Sequence, residues 1–345
     1  MRPERGGWEG NAVYCPFFES QLHVRSLLVC LAGPSGSSEM YKRLLVVGNG
    51  QTQPCFELIV TMIFSSPSPD PIFSSSDADI ILRSDDARPT DFRVHRCILR
   101  AGSPFFQTMF SLPQPECDTP ERLPVLDVAE PAAVLDPLLR FLYPVPDPKV
   151  STLDALVLIT SAASKYDMAA VTDRLRVLLV SPTFLATAPV RVFAIASRFE
   201  FEEEAQLASR HTLRLHVLDA PLCDDLRHIS AYAYHRLLEL HRQRGDAARE
   251  ALCARAPDGL RCAQCNGAQY NNNNAVAPPK WWGEFVARAG EELRSRPTSD
   301  VVFSLRFLVE CAHAAGCARC TGSILESYIF LDTLKAKIDA LPSTI

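Results

Sequence analysis

The sequence lacks long uninterrupted apolar runs. Residues 22–32 are apolar, but Arg25 interrupts them and acidic residues precede them, which is not typical of a secretory signal. Residues 44–64 are apolar at both ends, whereas a spanning helix needs about 20 unbroken apolar residues. The interrupting residues at their centre are Gly48, Asn49, Gly50, Gln51, Gln53 and Pro54. The sequence therefore predicts no membrane segment, and we expect the chain in the cytoplasm or the nucleus.

A strong charge of either sign and a glycine-rich loop are lacking as well. The net charge is -5 and the pI is ≈ 5.9, which gives no overall attraction to nucleic acid. Glycine supplies only 15 of the 345 residues. The segment Gly48-Asn49-Gly50 lacks the later Gly or Lys that a nucleotide-binding fingerprint requires. The sequence therefore contains neither of the two glycine-rich nucleotide-binding fingerprints.

The chain is long enough for two domains and an extension. Its 47% hydrophobic and 22% charged residues are the balance of an ordinary globular protein. Residues 1–75 mix Gly, Ser and Pro with short apolar runs, so we interpret them as an irregular N-terminal extension. Within it, Asn49-Gly50 is typical of a hairpin turn. The predicted domains are 76–182 and 183–345.

Short strands and helices alternate in residues 76–182. Residues 80–82 and 91–94 indicate two strands joined by a turn, and 123–128 indicates a third at a sheet edge, because it contains Pro124. Ser103-Pro104 is typical of a helix start, since Ser caps free N–H groups and Pro fits the first helical position. The predicted fold class is therefore α+β, a small sheet flanked by helices.

Beyond residue 189 the strand pattern almost disappears. Apolar periodicity predicts helices over 189–196, 202–216, 224–241, 281–294, 299–315 and 323–341. We interpret Trp281 and Trp282 as aromatic anchors of a core, and stacking on a nucleic-acid base is the alternative. The second predicted domain is therefore all-α.

Three ordered strings in the middle of the chain are specific enough to resemble a family. They are Asp79-Ile80-Ile81-Leu82, Phe92-Arg93-Val94-His95-Arg96-Cys97-Ile98-Leu99 and Ser103-Pro104-Phe105-Phe106-Gln107-Thr108-Met109-Phe110. Together they resemble the core signature of BTB (POZ) domains, and about a hundred residues agree with the order of elements in that family. The remainder is similar to uncharacterised fungal BTB proteins with a helical, cysteine-containing C-terminal extension. No kelch, MATH or finger-type zinc motif is recognisable.

The resemblance implies self-association through the first helix and its flanking strands. It also implies that some members connect to cullin-based ubiquitin ligases or to transcriptional corepressors. The candidate interface residues are Asp79, His95, Phe105, Phe106, Met109 and Phe110. Four of them, Phe105, Phe106, Met109 and Phe110, form an aromatic stripe with more apolar surface than one small sheet can cover. Each member of the stripe can instead be part of the core. No Ser or Cys nucleophile with a helper group lies near His95 in the pattern, so packing explains His95 better than catalysis.

Twelve cysteines are present, and six of them follow residue 250. Cys262-x-x-Cys265 and Cys317-x-x-Cys320 have the pair spacing of a tetrahedral zinc site. The gap between the pairs is long, so a helical hairpin within 281–315 has to bring them together. Structural zinc, buried reduced thiols and disulfides are the three interpretations. Further candidate ligands are Cys253, Cys311 and His313.

The leading hypothesis is a non-enzymatic interaction module that associates with itself through its BTB domain. Its partners are then itself and other proteins, one option being an adaptor role for a cullin-type ubiquitin ligase. The alternative is a nuclear transcriptional regulator or corepressor scaffold whose Cys-rich half contacts nucleic acid. A closed four-cysteine zinc site would be structural, because no coordination position stays open for a reaction. Structural zinc is thus the only cofactor for which the sequence gives a reason.

Overall fold

The computed structural model describes residues 26–30, 42–48, 51–53, 71–113, 123–253, 260–266 and 277–345. These residues fall into two compact units. The first takes the described residues up to Arg93 together with Val125–Ala133, and the second takes the others. Within the described ranges, no helix combines the length and the apolar composition needed to cross a membrane.

A three-stranded antiparallel sheet begins the first unit. Its strands are β1 (Ser26–Cys30), β2 (Lys42–Gly48) and β3 (Gln51–Gln53). Gly48 pairs with Gln51, so two residues, Asn49 and Gly50, connect β2 to β3. The hairpin predicted from the Asn-Gly dipeptide is confirmed by this antiparallel pairing. The connecting residues themselves lie outside the described ranges.

A second sheet of three short strands follows. Its strands are β4 (Ile80–Arg83), β5 (Asp91–Val94) and β6 (Val125–Asp127), in the order β5-β4-β6. The strand β6 runs parallel to β4 at one edge of the sheet, as Pro124 predicted. Alternate residues of β4 and β5 are buried, which is the period-two pattern of a sheet with one covered face.

Eight α-helices lie between Arg96 and Thr212 in the described part of the chain, two of them before β6. They are α1 (Arg96–Gly102), α2 (Pro104–Ser111), α3 (Ala132–Leu142), α4 (Leu153–Lys165), α5 (Ala169–Leu179), α6 (Pro182–Thr187), α7 (Pro189–Arg198) and α8 (Glu202–Thr212). At the start of α2 the Ser103 hydroxyl accepts a hydrogen bond from the Phe106 N–H. At the start of α4, Thr152 does the same for Ala155. Local capping thus sets these boundaries.

Six further helices complete the described chain. They are α9 (Ala231–Cys253), α10 (Lys280–Ser295), α11 (Ser299–Val302), α12 (Leu305–Ala314), α13 (Cys320–Glu326) and α14 (Tyr328–Asp339). The part of the chain described after Asp127 contains no strand, so the predicted all-α character of the C-terminal half is confirmed. The prediction of a single helix over 299–315 is wrong, because the structure has two helices there. Ser304 caps the second one by accepting a hydrogen bond from the Phe307 N–H. The helix predicted over 323–341 also divides, at Ser327.

Two apolar cores lie among helices α4 to α14 in the described part of the chain. One contains Val192, Phe193 and Leu237, all fully buried. The other contains Trp281 and Leu293, fully buried as well, together with the sulfur-bearing residues described below. Burial of one such side chain contributes about 1.5–3 kcal/mol, so each core fixes its helices firmly. The C-terminal core is the one that positions the cysteines.

Candidate functional site

The two cysteine pairs meet in the C-terminal core. Cys262 and Cys265 lie on the turn before α10, Cys317 lies between α12 and α13, and Cys320 begins α13. The four Sγ atoms lie within 4.8 Å of one another. Two contacts join the pairs: Cys262 to Cys317 at 3.7 Å and Cys265 to Cys320 at 3.8 Å. The convergence that the Cys-x-x-Cys spacing predicted is therefore present, and all four are free thiols.

The sulfur positions match a tetrahedral metal site. A zinc–sulfur bond of about 2.3 Å places the corners of the tetrahedron about 3.8 Å apart, whereas a disulfide needs about 2 Å. The Cys262–Cys317 and Cys265–Cys320 sulfur distances of 3.7 and 3.8 Å agree with the tetrahedral value. Geometry therefore favours four metal ligands over two disulfides.

Backbone N–H groups point at the sulfurs. Burial raises the pKa of Cys262, but hydrogen bonds from the N–H groups of Gln264 and Cys265 and from the Cys265 and Cys317 thiols outweigh burial and bring that pKa to about 7. Lys280 donates its N–H to the Cys265 sulfur at 3.4 Å. The Lys280 N–H belongs to the N-terminus of α10, whose partial positive charge favours anionic sulfur. The site is thus built to accept negative charge on sulfur.

A cation is what would make all four sulfurs anionic together. Burial raises the pKa of Cys265 and raises that of Cys320 to about 12, so these thiols keep their protons when alone. A bound metal ion deprotonates its thiol ligands outright. The donor set therefore suits a soft divalent ion such as zinc, which prefers thiolate ligands.

Asn266 and Gly316 shape the two cysteine turns, and neither was singled out by the sequence. Asn266 is buried and accepts from the Cys262 N–H at 2.6 Å, while its amide nitrogen donates to the carbonyls of Leu260 and Ala277. Gly316 has a φ of +64°, a region that favours glycine, and it returns the chain from α12 to Cys317. The Cys-x-x-Cys-Asn string and a Gly directly before Cys317 were the available signals.

The tryptophans close the site from the apolar side. Trp281 is fully buried and Trp282 is 6% exposed, so the interpretation as core anchors is confirmed. Trp281 donates its indole N–H to the Ser323 hydroxyl, and Ser323 donates to the Arg261 carbonyl. Ser323 thereby ties α10, α13 and the first cysteine turn together.

The further candidate ligands stay outside the group of four thiols. Cys253 and His313 are exposed, and Cys311 is buried, which raises its pKa to about 11. Among the residues that the structure describes, the group within ligand distance consists of the two Cys-x-x-Cys pairs alone.

The aromatic stripe of α2 divides between core and surface. Phe106 is 1% exposed, and its ring stacks on Tyr166 and on Phe110. Phe105 is 43% exposed, whereas Met109 and Phe110 are half-buried. Neighbouring residues on a helix point about 100° apart, so an inward Phe106 leaves Phe105 at the edge of the core. Phe105 is therefore the member of the stripe that offers most surface to a partner.

The two polar candidates have different surroundings. His95 is half-buried, its backbone N–H donates to the Tyr143 hydroxyl at 2.8 Å, and its ring nitrogen lies 3.1 Å from the same oxygen. This matches a packing role at the junction of β5 and α1. Asp79 is exposed and directly precedes β4. Both stay predictions as interface residues.

Comparison with known proteins concerns the region that contains α2 and the second sheet. A family model described as BTB/POZ domain matches residues 72–182, which is less than half of the chain. The match contains the three strings quoted from the sequence and the helix α2. A search of curated proteins found no match.

Proposed function

Because residues 72–182 form a BTB/POZ domain, a protein-interaction domain, we propose that this chain is a non-enzymatic interaction module that self-associates through α2. The exposed ring of Phe105 is the observation that carries the proposal. We propose the cytoplasm or the nucleus as the location of the protein.

The outer face of α2 supports this proposal. Phe105 and Met109 lie four residues apart on one face of α2, and Leu112 directly follows the helix. Phe105 is 43% exposed and Leu112 is 58% exposed. Full burial of such a side chain contributes about 1.5–3 kcal/mol, and because these two are already partly covered, burial against a second copy contributes about half of that each. A stable interface needs about 800 Å² on each partner, so surface beside α2 contributes too.

Charge on this face should prevent self-association. We expect the double variant Phe105→Glu/Met109→Glu to be monomeric and the unaltered chain to be a dimer or larger, because two pairs of carboxylates then face one another. Gln107→Glu, an exposed position of the same helix, is the control and should not change the mass. Light scattering on the full chain measures the mass. A dimer of the double variant, or a monomeric unaltered chain, contradicts the proposal. Phe106 is unsuitable for this test because its burial makes a charge there unfold the helix.

We further propose that the four cysteines hold a structural zinc ion. The sulfur spacing, the N–H groups aimed at sulfur and the apolar surroundings support it. Four protein ligands fill a tetrahedral ion, so the site stabilises the helices and leaves no position for substrate.

Metal analysis of the purified full chain tests the zinc proposal. One zinc per chain is expected, and Cys320→Ser should lose most of it because a closed site needs its fourth thiolate. Cys253→Ser is the matched control, since Cys253 is exposed and outside the group. Protein without metal that also fails to take up added zinc would rule the site out.

A finer role is that of an adaptor that brings bound proteins to a cullin-type ubiquitin ligase. The resemblance to BTB proteins supports it. Direct mixing of the full chain with the N-terminal region of a cullin, followed by size separation, is the test. Absence of a complex would leave a corepressor scaffold as the family-based alternative. Nucleic-acid contact through the Cys-rich half is less well supported, because Trp281 and Trp282 are buried and cannot stack on bases.

A further inference from the structure

An apolar groove lies among α12, α13 and α14. Phe303, Leu308, Ile324 and Leu331 line it, and its volume is ≈ 230 Å³. An engineered apolar cavity of about 150 Å³ holds a benzene ring. The groove therefore has room for at least one large apolar side chain.

The rim of this groove is unusually apolar for a solvent-facing surface. Leu305 and Leu325 are each 66% exposed and Tyr328 is 68% exposed, and all three line the groove. A single exposed leucine is ordinary, but several around one depression form the kind of patch that marks a binding site. None of these residues belongs to α2 or is one of the four cysteines. The groove is thus a third surface, separate from both candidate sites.

The charges of the groove wall are unequal. Lys335 is bound by Asp339, whose carboxylate lies 2.6 Å from its ammonium group. Arg306, next to Leu305, is bound by Glu310 at 2.9 Å. Asp332 also lines the groove, and it has no ion-pair partner within 4 Å among the residues that the structure describes. The charges of Asp332 and Asp339 both act on Lys335, so two carboxylates face one ammonium group and this side of the groove carries a net negative charge beside the apolar depression.

We propose that this groove binds an amphipathic helix of another protein, with apolar residues facing the groove and a Lys or Arg beside Asp332. The groove follows α14 from Tyr328 to Lys335, which is about 10 Å at 1.5 Å per residue. That length equals two helical turns and fits apolar anchors at positions i, i+4 and i+7 of the bound helix. The proposal does not depend on self-association through α2, since no residue is shared.

Synthetic helical peptides can test both the apolar and the charged component. The basic probe is an alanine-based peptide with Leu, Phe and Leu at i, i+4 and i+7 and Arg at the flanking positions. An otherwise identical acidic probe has Glu in place of Arg. Fluorescence anisotropy measures the binding of each labelled probe to the full chain. We expect the basic probe to bind about fivefold more tightly than the acidic one, as a surface ion pair allows.

Variants of the groove separate this site from non-specific binding. Leu325→Lys/Tyr328→Lys should weaken the basic probe at least about tenfold, because the apolar rim is lost. Val177→Lys, at an exposed apolar position of α5 that does not line the groove, should leave binding unchanged. Asp332→Lys should reverse the preference, so that the acidic probe binds better. Circular dichroism of each variant confirms that it is folded.

Three results would overturn the proposal. The first is a basic probe that binds more weakly than about 1 mM. The second is an Asp332→Lys variant with unaltered preference. The third is a loss of mass in light scattering caused by Leu325→Lys/Tyr328→Lys, since the occupant is then a second copy of this chain. Self-association that responds only to the α2 variants leaves the groove proposal intact.

Discussion

A single buried amide, that of Asn266, fixes the first cysteine turn. Its oxygen accepts from the Cys262 N–H, and its nitrogen donates to two carbonyls on either side of the turn. Two of these partners, the Cys262 N–H and the Leu260 carbonyl, belong to buried residues, where leaving such a group unsatisfied costs about 1–3 kcal/mol. Asn266 therefore preorganises Cys262 and Cys265 before any metal binds.

Two glycines near the second cysteine pair should respond oppositely to alanine. Gly316→Ala forces a side chain into the left-handed region at φ +64°, so we expect a loss of about 1 kcal/mol in the free energy of unfolding. Gly322→Ala lies within α13 with nothing within 4 Å of the added methyl group, so a gain of up to about 1 kcal/mol is expected.

Urea denaturation followed by tryptophan fluorescence measures both effects, because two of the three tryptophans lie in this core. If both glycine variants changed the free energy of unfolding in the same direction, backbone conformation would not control this turn.

At the scale of elements, a buried histidine joins α8 to α9. The His241 ring nitrogen Nε2 lies 3.0 Å from the Thr212 hydroxyl, which donates its own hydrogen to the Ser209 carbonyl. Nε2 of His241 is therefore the donor, and the ring is neutral with Nδ1 unprotonated. Burial lowers the pKa of His241 from 6.5 to about 4, because a charged ring there loses its hydration.

The helix pair should lose stability in acid because of His241. Between pH 6.5 and about 4 the unfolded chain binds a proton that the folded chain does not, so stability falls as the pH falls through this window. The full effect is on the order of 3 kcal/mol, complete near pH 4. Denaturation midpoints at pH 7 and pH 4.5 should differ more in the unaltered chain than in His241→Gln, which keeps the donor to Thr212. An identical pH response of the two proteins would show that His241 is not the group responsible.

The exposed and buried halves of α2 show how far sequence reasoning reaches at this scale. The Ser103-Pro104 start of the helix is a local signal and was predicted correctly. Of two adjacent phenylalanines, the buried Phe106 stacks on Tyr166, more than fifty residues further along the chain, whereas Phe105 meets the same ring edge-on and stays partly exposed. The apolar pattern marks both residues alike. Local periodicity therefore predicts the stripe and leaves its division between core and surface undetermined.

At the scale of the whole molecule, the cysteine site and α2 belong to different parts of the packing. The C-terminal core that surrounds the four sulfurs contains no residue of α2. The proposed interaction surface and the proposed metal site can therefore be disrupted one at a time.

Removal of the metal should lower the stability of the C-terminal core without changing self-association. A chelator such as 1,10-phenanthroline is expected to lower the unfolding midpoint of the tryptophan-containing core strongly, since structural zinc contributes about 10 kcal/mol or more in small domains. The mass by light scattering should stay that of the self-associated form. Near-ultraviolet circular dichroism of Trp281 and Trp282 follows the first effect. Unaltered dichroism after complete metal removal would contradict a structural role for the metal.

The sequence alone determined the features that depend on neighbouring residues: the BTB/POZ strings, the capped helix starts, the Asn-Gly hairpin and the two Cys-x-x-Cys pairs. Only the tertiary structure decided that the pairs meet, because Cys262 and Cys317 are 55 positions apart and their approach depends on helix packing between them. It also decided the burial of Phe106, the role of Asn266 and the apolar groove beside Asp332. Capping, turn and spacing rules act over about four residues, whereas contacts between distant segments follow from how whole helices pack.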